Sequence, residues 1–384
     1  MTAAPAGAAL NAPLRVLIAP DSFKGTVSAR DAARALAEGW QSVRPDDEPL
    51  LFPMADGGEG TLDAFETAVA GSVRMPVTVQ GPDNRAVDAS WLLLPDSAGA
   101  AGGTAVIELA NTSGITLLDP LLPLDAHTLG FGQAIAAALD HGAHRLLLAI
   151  GGSASSDGGV GALAAIGAQF LDAAGRPIRL GNRGLGQLAR VRLEAMRAVP
   201  PGGAQILSDV SNPLLGPNGA AAVFGPQKGA NPDQVDGIES GLLRLARLLP
   251  GGADTPGAGA AGGTGFGLLH WGARLTPGAA AIGEAMGLAD AVATAAVVIT
   301  GEGRFDSQSA AGKVPAYVAG LAAASGAIAM LAAGEIQAPS DDFAAAVSLS
   351  ELAASPEAAM AEPERWLRLA GARLAGSLTH SVTR

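Results

Sequence analysis

The sequence predicts an α/β protein of two domains, one discontinuous and built on a parallel sheet, the other a mixed α/β insertion. Three observations lead there. The chain has 384 residues, and at about 150 residues per domain that means two to three domains. Short apolar runs alternate with helical patterns at both ends, the order that gives parallel strands with crossover helices. The middle carries hairpin signals instead.

Arg15–Pro20 is a short apolar run and reads as a buried strand. Ser28 and Asp31 form a capping pattern ahead of Ala33, Leu36, Ala37 and Trp40 at helical spacing, so a helix runs to about Gln41. Pro49–Met54 reads as a second strand, and Leu62, Phe65 and Val69 share the face of a second helix. Met75–Gln80 and Arg85–Leu94, joined by Gly81-Pro-Asp-Asn84, predict a β-hairpin. Ala105–Leu109, Arg145–Ile150 and Ala204–Asp209 are further strands. Between the first two of these, a helix from about Thr128 ends at Gly142; Val160–Gly167 reads as helix. Leu249–Gly267, rich in Gly, Ala and Pro, reads as a long loop. Alternation resumes with a strand at Val297–Thr300, a turn over Gly301–Asp306, a helix, and strands at Ile328–Leu331 and Ala346–Leu349. The expected domains are 14–75 with 275–384, and an insertion at 76–274, after a disordered tail at 1–13.

With 48% hydrophobic and 16% charged residues the chain is globular rather than disordered. A net charge of −12 and the absence of any Lys/Arg cluster disfavour nucleic-acid binding and attraction to membrane surfaces. There is no cysteine, hence no disulfide, iron–sulfur cluster or thiolate zinc site. Ala316–Gly334 carries no charge, but it is mostly small residues and Gly326 divides it into a helix and a strand, so no membrane span is expected. The first 13 residues lack the pattern of a signal peptide. The expectation is a cytoplasmic protein, with a homo-oligomer left open.

Two kinds of loop carry candidate chemistry. In open α/β sheets ligands bind beyond the carboxyl ends of strands, and there the sequence places Asp21-Ser22-Phe23-Lys24, Asp56-Gly-Gly-Glu59, Asp209, and Glu302 with Asp306. The second kind is Gly151-Gly-Ser-Ala-Ser-Ser-Asp-Gly-Gly159, whose successive backbone N–H groups suit an anion-binding nest, with Ser153, Ser155 and Ser156 adding hydroxyl donors. Lysine occurs only at positions 24, 228 and 313, each beside glycine, where a point-charge ammonium suits a phosphate. Gly257-Ala-Gly-Ala-Ala-Gly262 matches a dinucleotide fingerprint letter by letter, but no predicted strand precedes it, so a Rossmann site is rejected. P-loop, protein-kinase and nucleophile-elbow patterns are absent. Lysines, glycine-rich nests and strand-end carboxylates together meet the needs of phosphoryl transfer.

Six segments then occur in an order that closely resembles the bacterial glycerate kinase family: Ala19-Pro-Asp-Ser-Phe-Lys-Gly25, Met54-Ala-Asp-Gly-Gly-Glu-Gly60, the serine loop 151–159, Asp209-Val-Ser-Asn-Pro-Leu-Leu-Gly216, Phe224-Gly-Pro-Gln-Lys-Gly-Ala230, and Ile299-Thr-Gly-Glu-Gly-Arg-Phe-Asp306 with Gly312-Lys-Val-Pro315. The resemblance spans about residues 14 to 375. Three positions depart from the usual pattern: Ser155-Ser156 stands for Thr-Asn, Ala296 for Asp, and Ser309 for Thr. None removes a chemical group the reaction needs.

The resemblance implies a flavodoxin-like discontinuous domain, an active site in the cleft between domains, and ATP-dependent phosphorylation of D-glycerate, to 2-phosphoglycerate, with Mg²⁺. Asp56 or Asp209 is expected to orient or deprotonate the substrate hydroxyl. Lys24 is grouped with them, facing phosphate or carboxylate. Phosphate and substrate binding is expected of Asp21, Ser22, Lys228, Gly151, Gly152, Ser153, Ser155, Ser156, Gly158 and Lys313, and Mg²⁺ binding of Asp157, Glu302 and Asp306. A kinase for another small hydroxy acid or sugar acid, or a non-enzymatic sensor of nucleotide or metabolite, would share this inventory.

Overall fold

The structure is a computed structural model and describes residues 12–23, 25–95, 102–310 and 313–380. The chain forms two compact units: Met1–Asp56 with Asp63–Ala70 and Ala279–Arg384, and Gly57–Leu62 with Gly71–Gly278. The strands in chain order are β1 (Arg15–Pro20), β2 (Glu48–Leu51), β3 (Val73–Gln80), β4 (Ala86–Leu94), β5 (Thr104–Glu108), β6 (Arg145–Ala149), β7 (Gln169–Leu171), β8 (Arg190–Arg192), β9 (Ala204–Leu207), β10 (Arg274–Thr276), β11 (Val297–Phe305), β12 (Ile328–Ile336) and β13 (Ala345–Ser348).

The first unit holds a five-stranded parallel sheet in the order β13-β12-β11-β1-β2. Counted within the unit this is 2-1-3-4-5, the flavodoxin-like order, whose direction reverses between β1 and β11. Alternation along the strands separates two faces. Val16, Ile18, Val297, Ile299, Met330 and Ala332 pack with the helices Ala29–Val43 and Pro363–His380, whereas Leu331 and Ala333 pack with Ala319 on the helix Val314–Ser325. The first two helices cross closely because glycines face backbone. A Cβ on Gly39 would lie 1.9 Å from the Arg368 carbonyl oxygen, and one on Gly371 2.2 Å from that of Leu36. Below them the buried Asp47 carboxylate accepts hydrogen bonds from Leu14 N–H, Trp40 Nε1–H and the Arg44 guanidinium. Burial alone would raise its pKa. The hydrogen bonds from Arg44, Leu14 and Trp40 outweigh that and hold it below the ordinary value.

The second unit holds a six-stranded sheet in the order β10-β9-β6-β5-β4-β3 and a small antiparallel β7–β8 ribbon. β10, β9, β6 and β5 are parallel, and the β3–β4 hairpin continues the sheet antiparallel, as its turn signal predicts. Ile107, Leu146, Leu148, Ile206, Phe131 and Phe266 lie in one buried core. The helix Leu129–His141 ends at Gly142 in the left-handed conformation, as its sequence predicts.

Three local expectations are corrected. Gly301–Asp306 is not a turn, because β11 runs on to Phe305 and pairs with β12 through Glu302↔Ala333 and Phe305↔Ile336. The glycines there serve close strand approach: a Cβ on Gly301 would sit 2.0 Å from the Ala332 carbonyl oxygen. Nor is Leu249–Gly267 a loop throughout, since a helical segment covers Ala260–Trp271. Small residues let it pack: a Cβ on Gly267 would lie 2.5 Å from the Gly158 carbonyl oxygen. The second strand is also shorter than expected, although Phe52 and Met54 still donate to the carbonyls of Ile18 and Pro20.

Candidate active site

In the first unit Asp21 and Glu302 lie where the strand order reverses. Asp21 follows β1, is buried, and its N–H donates to the Gly301 carbonyl of β11 at 2.8 Å; Ser22 N–H donates to the Asp21 carboxylate. One residue beyond Gly301 is the buried Glu302. Asp306 ends the same segment and accepts from the N–H of Ser309 at 3.2 Å. Lys313 is half-buried at the start of the helix Val314–Ser325, and Asp56, also half-buried, is the last residue of the unit's first segment. Lys24 lies outside the described residues.

In the second unit Gly57–Leu62 lies on the carboxyl ends of three parallel strands. Gly57 accepts from Gly151 N–H, just past β6, at 2.9 Å. It also presses on the end of β9, where a Cβ would be 2.4 Å from the Leu207 carbonyl oxygen. At the end of β5 the buried Glu108 accepts from Leu62 N–H at 3.1 Å. Sequence reasoning passed over Glu108, since a lone glutamate at the end of an apolar run carries no motif. Asp209, after β9, is exposed and accepts from Gly278 N–H at 2.8 Å.

The serine loop folds around its own carboxylate. Asp157 is fully buried and accepts from Thr128 N–H and Oγ1–H, Gly161 N–H and Gly159 N–H at 2.9–3.1 Å. Gly152 and Gly158 take positive φ, so the backbone can turn these N–H groups inward. Lys228 comes to the same loop. It is buried, and its Nζ donates to Ser153 Oγ at 3.1 Å and to the Ser155 carbonyl. Burial pushes its pKa down to about 7, against the pull of the Asp157 charge. The Ser155 and Ser156 hydroxyls are buried without a hydrogen-bond partner.

The wall over this cluster is the segment rejected as a dinucleotide fingerprint. Ala261, Gly262 and Gly263 are all left-handed, with φ of 53°, 66° and 86°. For alanine that conformation costs about 1–2 kcal/mol. The turn fits against the serine loop: Gly262 C=O accepts from Gly158 N–H at 3.1 Å, and Ala261 C=O accepts from Ser153 Oγ–H at 3.3 Å. A Cβ on Gly262 would be 2.1 Å from the Ser155 carbonyl oxygen and 2.9 Å from Lys228 Nζ. The run of glycines was the available signal, read as chance because no strand precedes it.

The structure thus brings Gly151, Gly152, Ser153, Ser155, Ser156, Asp157, Gly158 and Lys228 into one cluster, and it brings Asp21 to Gly301 beside Glu302. The model of the glycerate kinase family matches residues 16–379. The chain belongs to the glycerate kinase family. The chain is 42% identical to the glycerate kinase of Bacillus subtilis over 318 residues, covering 80% of this chain and 81% of that one. It is 39% identical to the glycerate 2-kinase of Escherichia coli, over 80% and 82%. A crystal structure from Salmonella typhimurium LT2, of a protein given the provisional name glycerate kinase 2, superposes with a TM-score of 0.81 at 35% identity, over 96% of this chain and 99% of that one. Membership makes this chain a kinase that uses ATP and acts on small molecules. No helix among the described residues is long and apolar enough to cross a membrane.

Proposed function

We propose that this glycerate kinase family member transfers the γ-phosphoryl group of ATP to the C2 hydroxyl of D-glycerate, giving 2-phospho-D-glycerate and ADP. The observation that carries the reading is the serine-loop cluster, where a buried lysine and unpartnered hydroxyl donors suit an anionic reactant. The C2 oxygen forms the new bond to phosphorus as the bond to ADP breaks. Asp56 or Asp209 orients that hydroxyl and takes its proton. Ser22, Lys24, Lys313, Lys228 and the 151–158 backbone supply positive charge and donors to phosphates and the glycerate carboxylate, while Asp21, an acceptor, holds a substrate hydroxyl.

Mg²⁺ is part of the proposal. Among the described residues no three His, Asp or Glu side chains gather to hold a metal, and both Asp157 oxygens already accept protein donors. Mg²⁺ bound with a nucleotide needs only one or two carboxylates beside the phosphates. Glu302, in the last part of β11, and Asp306, just after that strand, would supply them. The ion would offset charge on the transferring phosphoryl group.

The test is ATP consumption with Mg²⁺ in the presence of D-glycerate, L-glycerate, tartronate, glycolate or lactate. The reading expects D-glycerate to be turned over most efficiently. Preference for another acid would replace the substrate, and ATP binding without turnover of any acid would leave a sensor.

A further inference from the structure

We propose that Lys228 is an oxyanion-binding group that receives its proton only when the anion arrives, so that one reactant binds together with a proton. The inference rests on the glycerate kinase reading for the identity of the anion, but not for its existence.

Lys228 Nζ has two acceptors, Ser153 Oγ and the Ser155 carbonyl. A neutral amine has two N–H groups, and these two acceptors satisfy both. An ammonium has a third N–H, for which the described residues offer no acceptor. On the same loop, the Ser155 and Ser156 hydroxyls are buried with no partner among the described residues. A protonated cluster therefore contains three donors lacking acceptors, which buried polar groups do not tolerate without cost. A carboxylate or phosphate has the oxygens and the charge to meet all three.

The surroundings of Lys228 disfavour a charge on the amine unless a second anion joins it. Lys228 forms no salt bridge among the described residues. The left-handed turn at Ala261–Gly263 packs backbone against one side of it, Gly262 lying so close that a Cβ there would be 2.9 Å from Nζ. Of the charged side chains on the elements around it, Asp157 on the serine loop acts on the amine, and His127, ahead of the helix Leu129–His141, feels the same Asp157. The Asp157 carboxylate is turned to its own four donors, and burial outweighs its attraction for the Lys228 proton, leaving the amine with a pKa of about 7. A bound anion adds a second negative charge at hydrogen-bond distance and reverses that balance.

Calorimetric titration of the full chain at pH 8, in two buffers of different ionisation enthalpy, reads the proton directly. D-Glycerate alone and a non-hydrolysable ATP analogue alone are the two arms, and they separate a carboxylate from a phosphate source. With a pKa of about 7 the amine is about nine-tenths neutral at pH 8, so the correct ligand takes up about 0.9 proton per site. Its apparent Kd rises about tenfold per pH unit above 7, because only the protonated fraction is competent. Lys228→Arg, charged at every pH, abolishes the uptake. Ser155→Ala with Ser156→Ala, which leaves the amine in place, weakens the same ligand at least ~10-fold while keeping the uptake. Binding of both ligands with no buffer-dependent heat, or an uptake that persists in Lys228→Arg, overturns the inference. If D-glycerate is still phosphorylated in that case, the proposed function stands without it; if neither ligand binds, both fall.

Discussion

Replacing Asp157 by Asn separates an internal anchor from a metal ligand. Asp157 Oδ2 accepts from Thr128 N–H at 3.0 Å, Thr128 Oγ1–H at 2.9 Å and Gly161 N–H at 3.1 Å, while Oδ1 accepts from Gly159 N–H at 3.0 Å. An asparagine has one oxygen, and three of the four donors converge on the Oδ2 position, so its NH₂ must face Gly159 N–H. That loses one hydrogen bond to a charged group and buries an unsatisfied donor, and the remaining three become neutral and weaker. Return of the desolvation cost of the carboxylate offsets part of this. The net loss is about 2–4 kcal/mol. At about 2–4 °C per kcal/mol the unfolding transition of the second unit falls by roughly 4–16 °C. Hydrogen exchange at the amides of Gly159, Gly161 and Thr128 localises the loss, which Mg²⁺ does not change. A variant within about 0.5 kcal/mol of the parent, with unchanged protection at these amides and only a weaker response to Mg²⁺, would refute the anchoring argument.

Three other outcomes follow from the same structure. Asp47→Asn lowers Tm at pH 7. Because the folded pKa of Asp47 is depressed, its stabilisation is present above the unfolded carboxylate value near ~4 and is lost as pH falls through the folded value, so the two melting curves converge in acid; a gap constant from pH 7 to 3 would contradict this. Gly57→Ala must accommodate a Cβ at φ 92° and 2.4 Å from the Leu207 carbonyl, so the loop shifts off the end of β9 and kcat/KM falls at least ~10-fold; unchanged kinetics would show that the loop's seat is not needed. Asp56→Ala lowers kcat/KM at least ~100-fold with Tm retained, and near-normal turnover would remove Asp56 from the chemistry.

Much of this architecture can be read from local pattern. β1, the β3–β4 hairpin, the Gly142 helix end and the parallel sheet assembled from both chain ends each follow from periodicity or turn chemistry. Where pattern misled, glycine was serving close packing against distant parts of the chain, at Gly262 together with a left-handed turn. Gly301 lets β11 run on against β12, and Gly262 fits against Ser155 and Lys228; neither fact is local, since the partner is a distant backbone atom. The Asn231–Gln234 capping box with Pro232 did announce the helix Pro232–Leu248, a signal that sequence reasoning left unread. At the candidate site the residue types were legible but not their roles. Asp157 looks like a metal ligand until its four donors are seen, and Glu108 has no sequence mark because its partner, Leu62 N–H, is brought to it only by folding.

The most direct measurement of the central claim is the position of the phosphate on the product. D-Glycerate is converted with ATP and Mg²⁺, and the product is passed to enolase with or without phosphoglycerate mutase. The account predicts immediate dehydration by enolase alone, the behaviour of 2-phospho-D-glycerate. Dehydration only after the mutase is added would mean transfer to the C3 hydroxyl and would contradict it.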